Sequence, residues 1–127
     1  MARIGDIVVD CAHPAALARF WAAVLDDYAV APYDEAELAR LRERGIHDPE
    51  DDPSVLVEPT GAGPRFFFVK VPESKTVKNR LHLDLRAPEF EPELNRLIAL
   101  GAQVYADLPE WTTLLDPEGN EFCLLKK

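Results

Sequence analysis

The chain has 127 residues, enough for one compact domain or for two small modules. Hydrophobic residues make up 47% of it, which is ordinary for a folded protein and too high for a disordered one. The net charge of −9 argues against a nucleic-acid partner, which needs a basic face, and no apolar run is long enough to cross a membrane.

Two features predict where the protein is found. Cys11 and Cys123 lie in strand-like apolar contexts, which is typical of reduced, partly buried thiols. The N-terminus has no basic segment followed by an apolar core, so no secretory leader is predicted. A cytoplasmic location is therefore expected.

Strand and helix patterns alternate in the first half of the chain. Residues 4–11 (IGDIVVDC) are apolar and β-branched, so they predict a strand. Pro14 stands where a helix can begin, and apolar residues follow at helical spacing as far as Leu25. A second helix is predicted over 34–44, because its first residues form a capping-box pattern and Gly45 can end it.

The middle of the chain is predicted to contain a loop and two strands. The acidic, proline-bounded stretch 47–53 is expected to be a solvated loop. Residues 54–58 and 65–71 are apolar strand candidates, and a Pro- and Gly-rich turn separates them.

The second half begins the pattern again. Residues 80–86 (RLHLDLR) alternate perfectly and predict a strand with its leucines on one face and His82, Asp84 and the arginines on the other. A helix is predicted after Pro88, and Gly101 follows its end. Three further strands are predicted at 103–105, 111–115 and 121–125.

The stretch 116–120 (DPEGN) is expected to be a hairpin turn, because its Pro and Gly favour the required backbone angles. The complete order is β-α-helix-β-β followed by β-α-β-β-β. This order indicates an internal repeat of structure with little residue identity.

Four stretches in the right order resemble the glyoxalase/bleomycin resistance/dioxygenase superfamily, the vicinal oxygen chelate fold, and in particular its small glyoxalase-like proteins. They are residues 10–21 (DCAHPAALARFW), 71–85 (VPESKTVKNRLHLDL), 99–102 (ALGA) and 116–123 (DPEGNEFC). The resemblance implies an α+β fold in a single domain, 1–127. Two βαβββ modules, 1–72 and 76–127, would form curled, antiparallel-rich mixed sheets around a cavity, with an extra helix inserted in the first module.

The resemblance also implies positions for a metal site. Metal-using members place one ligand on the first strand and one on the last strand of each module. Carried over to this sequence, these positions fall at His82, at Asp6, near Val69, which cannot coordinate, and at Cys123, where the family usually has Glu. The expectation is either no cofactor, or one divalent ion (Zn, Ni, Mn or Fe) held by His82, Asp6 and Cys123.

Other roles for the same residues stay open. His82 beside a carboxylate can act as a general base, and Asp10 and Asp84 are acid/base candidates if they face one cavity. Alternatively, His82 only forms hydrogen bonds, Cys123 is a small hydrophobic residue, and the two aspartates pair with basic neighbours. Those neighbours are Lys78, Arg80 and Arg86.

These alternatives lead to two functions with a ligand and one without. The first is a glyoxalase-like enzyme with lyase, isomerase or dioxygenase activity on a small oxygenated molecule. The second is a metal-free, antibiotic-like binding or sequestration protein, whose small-molecule ligand would contact Phe67, Tyr105, Trp111 and Glu121. The resemblance is compatible with a monomer and with a homodimer, in which a partner would complete each cavity. A dimeric scaffold without a ligand is a third reading.

Overall fold

Two stretches of the chain, Met1–Ser74 and Lys75–Lys127, form separate units in the computed structural model, which describes residues 1–127. Each unit has one four-stranded mixed sheet with one parallel and two antiparallel strand pairs. The predicted α+β class with two βαβββ modules is confirmed, and so is the extra helix in the first module. No helix is both long and apolar enough to span a membrane.

The first unit contains β1 (Asp6–Cys11), α1 (Pro14–Val24), β2 (Tyr28–Val30), α2 (Glu35–Glu43), a 3₁₀ turn (Pro49–Asp51), β3 (Ser54–Pro59) and β4 (Arg65–Lys70). Its strand order is β1-β4-β3-β2, and β1 runs parallel to β4. The apolar stripe of α1 packs against β3 and β4. Alternate residues of these two strands are buried beneath it: Val55, Val57, Phe66 and Phe68.

The acidic stretch before β3 is more ordered than its composition suggests. It includes the 3₁₀ turn, and its Asp52 is only 3% exposed, so the solvated-loop prediction was wrong at this residue. The Asp52 carboxylate accepts hydrogen bonds from the Tyr33 hydroxyl at 2.8 Å and from the Ser54 amide at 3.0 Å. Burial and this carboxylate together raise the pKa of Tyr33.

The second unit contains β5 (Asp84–Leu85), α3 (Phe90–Leu100), β6 (Gln103–Asp107), β7 (Trp111–Leu115) and β8 (Glu121–Leu125). Its strand order, β5-β8-β7-β6, repeats the order of the first unit, and β5 runs parallel to β8. Its core consists of Leu97 from α3 and of alternate sheet residues: Thr112, Leu114, Phe122 and Leu124.

The strand predicted over 80–86 is real only at Asp84–Leu85. The single partner of β5 is β8, which begins at Glu121, and Asp84 pairs with Cys123. Residues before His82 therefore have no opposing strand, so their alternation produces no ladder. Leu81 is accordingly exposed.

The turn between β7 and β8 forms as predicted. The Asp116 carboxylate is buried and accepts hydrogen bonds at 2.9 Å from the amides of Glu118 and Asn120. Gly119 has φ +84°, a backbone angle that favours glycine. The turn thus sets the register of the β7–β8 hairpin.

Replacing Phe68 should test the core of the first unit. Phe68 is fully buried, so Phe68→Ala removes a large apolar contact and leaves a cavity, which should lower the free energy of unfolding by about 3–5 kcal/mol. Urea denaturation of wild type and variant measures this. The neighbouring half-buried Phe67 gives the matched control, Phe67→Ala, for which a clearly smaller loss is expected. Equal losses would contradict this description of the core.

Candidate functional site

A polar row crosses the sheet of the second unit. Asp84 of β5 pairs with Cys123 of β8, and Cys123 pairs with Thr113 of β7. Residues paired directly across neighbouring strands project from the same face of a sheet. The three side chains therefore lie side by side, and His82 joins them from the segment that precedes β5.

Donor atoms of three side chains in this row converge. His82 Nε2 lies 3.4 Å from Asp84 Oδ1. The ligand atoms of His82, Asp84 and Cys123 all lie within 4.8 Å of one another. We call these three residues the donor cluster. Imidazole, carboxylate and thiol are the ligand types that zinc and similar divalent ions bind.

Two further side chains extend the row behind the thiol. Thr113 Oγ1 lies 3.5 Å from Cys123 Sγ. The Trp111 indole Nε1 donates a hydrogen bond to Thr113 Oγ1 at 3.2 Å. This bond occupies one of the two acceptor positions of the hydroxyl, so in the contact with Cys123 either the hydroxyl or the thiol can be the donor. Once the sulfur is a thiolate, only the hydroxyl can donate.

Burial differs within the donor cluster. Cys123 is buried, whereas the side chains of His82 and Asp84 are 40% and 53% exposed. The thiol thus lies beneath the surface while the imidazole and carboxylate are accessible from outside. A molecule approaching this face of the sheet would meet His82 and Asp84 first.

The cluster fits a tetrahedral ion. Ligand atoms around zinc at 2.0–2.3 Å are about 3.3–3.8 Å apart. The separations here reach at most 4.8 Å, so His82 and Asp84 need to move only by about 1 Å, and their exposure permits this. Three protein ligands would leave one position open, as a catalytic site requires.

Glu121 fixes the segment that carries His82. Its carboxylate accepts hydrogen bonds from the Asn79 amide at 2.9 Å and from Lys75 Nζ at 3.1 Å. Burial of this carboxyl raises its pKa, but the hydrogen bonds outweigh that effect and leave the pKa of Glu121 below its usual range. In the described structure, Glu121 therefore ties residues 75–79 to β8.

The internal repeat shows which positions of the first unit correspond to the donor cluster. In the first unit, the backbone amide of Lys70 donates a hydrogen bond to the carbonyl of Pro53. In the second unit, the amide of Lys126 donates the equivalent hydrogen bond to the carbonyl of Glu110. Aligning the two units on these bonds makes Phe67 the counterpart of Cys123. The sequence predicts this ligand position near Val69, two residues later in the chain.

Strand pairing then gives the remaining counterparts. Val8 pairs with Phe67 as Asp84 pairs with Cys123, so Val8 corresponds to Asp84. Two residues earlier, Asp6 corresponds to His82, the equivalence that the sequence predicted. Of these first-unit positions, only Asp6 carries a ligand atom.

The other predicted site residues are found in varied surroundings. Asp6 forms an ion pair with Arg65 at 2.9 Å, and the Arg65 guanidinium lies 5.4 Å from the centre of the Phe67 ring. Asp10 is exposed near the end of β1, and its catalytic role stays a prediction. Tyr105 is exposed at an irregularity of the edge strand β6.

The family of the chain follows from its sequence as a whole. A model of the glyoxalase-like domain matches residues 6–125. The chain belongs to the glyoxalase-like domain family. This confirms the expected membership in the glyoxalase/bleomycin resistance/dioxygenase superfamily. No curated protein sequence matches this glyoxalase-like chain.

Solved structures share the fold of this glyoxalase-like protein at low identity. The fosfomycin resistance protein FosX from Mesorhizobium loti is 12% identical, with a TM-score of 0.66 over 100% of this chain and 93% of that one. A glyoxalase/bleomycin resistance protein/dioxygenase family enzyme from Burkholderia phytofirmans PsJN is 16% identical, with a TM-score of 0.62 over 97% of both chains. The oxidase ChaP-H2 is 18% identical, with a TM-score of 0.62 over 100% and 94%.

Replacing Glu121 should loosen the second unit in a pH-dependent way. Glu121→Gln removes the charge that binds Lys75, so we expect a loss of about 1–2 kcal/mol in the free energy of unfolding at pH 7. A carboxyl whose folded pKa is depressed contributes stability above its unfolded value, here near 4.5, and loses it as the pH falls. The difference between wild type and variant should therefore shrink below that pH.

Urea denaturation at pH 7 and at acidic pH measures the effect. Glu110→Gln, which neutralises an exposed carboxylate, is the control and should leave stability nearly unchanged at both. A Glu121→Gln difference that is absent at pH 7, or that grows in acid, would contradict the role given to this carboxylate.

Proposed function

We propose that this glyoxalase-like protein is a metal-dependent enzyme that acts on a small oxygenated molecule, with its ion held by His82, Asp84 and Cys123. The observation that supports this is the convergence of three different donor atoms within 4.8 Å on one sheet face. The reaction is of the lyase, isomerase or dioxygenase type. Asp84 takes the place that the sequence assigned to Asp6.

A divalent ion bound here would supply Lewis-acid stabilisation of a substrate oxygen and lower the pKa of a water molecule. The residues of the chain have separate tasks. Cys123 must bind as a thiolate, and the Thr113 hydroxyl stabilises that charge with a hydrogen bond to the sulfur. Trp111 holds the hydroxyl in this orientation through its indole N–H.

His82 and Asp84 are the solvent-accessible part of the proposed centre. Because both side chains are accessible, a substrate can reach them without a rearrangement of the sheet. The 3.4 Å contact between them orients the imidazole ring. In the absence of an ion, the same pair could carry the general-base role that the sequence suggested.

A second candidate is a metal-free binding protein. It is favoured by a cavity of about 350 Å³ in the first unit, which Phe67, the counterpart of Cys123, lines together with Leu56 and Tyr33. Apolar side chains beside charged ones such as Arg40 and Glu37, which also line this cavity, suit the binding of a small molecule without a metal. The metal content of the protein separates the two candidates.

Cobalt substitution tests the proposed centre directly. Purified, metal-free protein should bind one Co²⁺ per chain and show a sulfur-to-cobalt charge-transfer band from Cys123. Cys123→Ser should lose the band, and His82→Ala or Asp84→Asn should weaken binding at least about tenfold, as loss of a ligand or its support commonly does. Competition with Zn²⁺ should remove the band.

Asp6→Asn is the matched control. It removes a carboxylate that the sequence predicted as a metal ligand, but in the structure this carboxylate forms an ion pair with Arg65. We expect it to bind cobalt like wild type. Cobalt that fails to bind wild type would refute the centre and favour the metal-free candidate. Cobalt that binds without a sulfur band would refute a centre that includes Cys123.

A further inference from the structure

The 350 Å³ cavity of the first unit has one wall from α2 and one from the sheet. Glu37, Arg40 and Arg44 lie three or four residues apart and therefore share one face of the helix. On the sheet, Leu56 of β3 pairs with Phe67 of β4, and both residues line the cavity. Because α2 has no counterpart in the second unit, only the first unit has such a helical wall.

A buried carboxylate lines the same cavity. Asp52 is 3% exposed, and its two oxygens accept hydrogen bonds from the Tyr33 hydroxyl at 2.8 Å and from the Ser54 amide at 3.0 Å. Both donors are neutral, since the raised pKa of Tyr33 keeps its hydroxyl protonated. A carboxylate offers about four acceptor positions, so Asp52 can accept further hydrogen bonds.

The charges on the cavity wall leave Asp52 without a partner of opposite sign. The wall carries three carboxylates and two guanidiniums: Asp34, Glu37, Asp52, Arg40 and Arg44. Glu37 accepts two hydrogen bonds from Arg40, and these two charges neutralise each other. Asp34 and Arg44 cap the N-terminal and C-terminal ends of α2, where the helix dipole compensates each of them.

Arg40 does not take the role of that partner. Its pKa is raised mainly by its hydrogen bonds to Glu37 and to a lesser extent by the charge of Asp52. The guanidinium forms its ion pair with Glu37 and none with Asp52. Buried charges in proteins are normally paired, so a buried carboxylate at the edge of a cavity favours a cation from outside.

The remaining surfaces suit the body of such a ligand. Leu56 and Phe67 give the sheet side of the cavity an apolar surface. The guanidinium of Arg65 contacts the Phe67 ring but is itself neutralised by Asp6. The net charge of −9 also favours the approach of a cation over that of an anion.

We propose that this cavity binds a small primary amine with an aromatic or apolar body. The ammonium group donates hydrogen bonds to the Asp52 carboxylate, and the body packs against Leu56 and Phe67. The site needs no ion and is separate from the donor cluster. The assignment rests on the cavity of the metal-free candidate and gives it a ligand class.

The test compares three probes that share one ring and have similar length: 2-phenylethylamine, 2-phenylethanol and phenylacetate. At pH 7 they are a cation, a neutral molecule and an anion. Isothermal titration of the full-length, metal-free protein should show that the amine binds at least about tenfold more tightly than the alcohol, as expected for a hydrogen bond between charged groups. Phenylacetate should bind most weakly.

Four variants locate the amine site. Asp52→Asn removes the charge at nearly constant size and should abolish the preference for the amine. Tyr33→Phe removes a hydroxyl but keeps the carboxylate, so the preference should persist, and this variant serves as a second test if Asp52→Asn does not fold. Phe67→Ala should weaken all three probes alike. Asp51→Asn is the matched control, because it makes the same charge change at the adjacent, exposed residue outside the cavity wall.

Asp51→Asn should keep the preference, and urea denaturation should show which variants are folded. Equal binding of amine and alcohol by wild type, or no binding of the amine at millimolar concentration, would overturn the proposal. So would a preference that survives Asp52→Asn or is lost in folded Tyr33→Phe. Tightest binding of phenylacetate would overturn it as well and would indicate an anion site at Arg44.

The amine site and the metal centre fail separately. His82→Ala disrupts the donor cluster and should leave the amine preference unchanged. An absent cobalt band contradicts only the metal centre, whereas an absent amine preference contradicts only the site at Asp52.

Discussion

The candidate site depends on the register of three strands in the second unit. Thr113, Cys123 and Asp84 form one row only because β7, β8 and β5 pair at these residues. A slip of one residue would turn Cys123 to the opposite face of the sheet and separate the donors. The buried Asp116 carboxylate, which accepts hydrogen bonds from the Glu118 and Asn120 backbones, holds the turn that prevents such a slip.

Local signals in the sequence were sufficient for part of this arrangement. The turn before β8, the strand that contains Cys123 and the end of α3 at Gly101 follow from nearby residues, and the structure has them where they were predicted. The strand over 80–86 was predicted too long, since alternation shows which residues can form a strand but not where a partner strand begins. The three-residue strand β2 was missed because it is too short for a pattern.

The composition of the donor cluster needed information that the sequence holds only indirectly. The sequence predicts Asp84 as an acid/base candidate and Asp6 as a ligand, because the family pattern gives one position on each strand and says nothing of pairing between strands. The pairing of Asp84 with Cys123 is a property of two strands that are far apart in the chain. Thr113 was predictable in principle, since it and Cys123 are nearly equidistant from the centre of the turn.

The two modules show how one backbone plan carries different chemistry. Val8, Phe67 and Leu56 of the first unit correspond to Asp84, Cys123 and Thr113 of the second, so apolar side chains stand where the second unit has polar ones. The shared βαβββ order therefore decides the positions but not the chemistry, which the individual side chains determine. The helix α2, with no counterpart in the second unit, adds a further difference.

X-ray absorption at the zinc edge of the zinc-loaded protein tests the central claim most directly, because it reports the ligand atoms themselves. The donor cluster predicts one sulfur ligand at about 2.3 Å together with nitrogen and oxygen ligands at about 2.0–2.2 Å. A zinc shell without sulfur, or with more than one sulfur, would contradict a centre built from His82, Asp84 and Cys123.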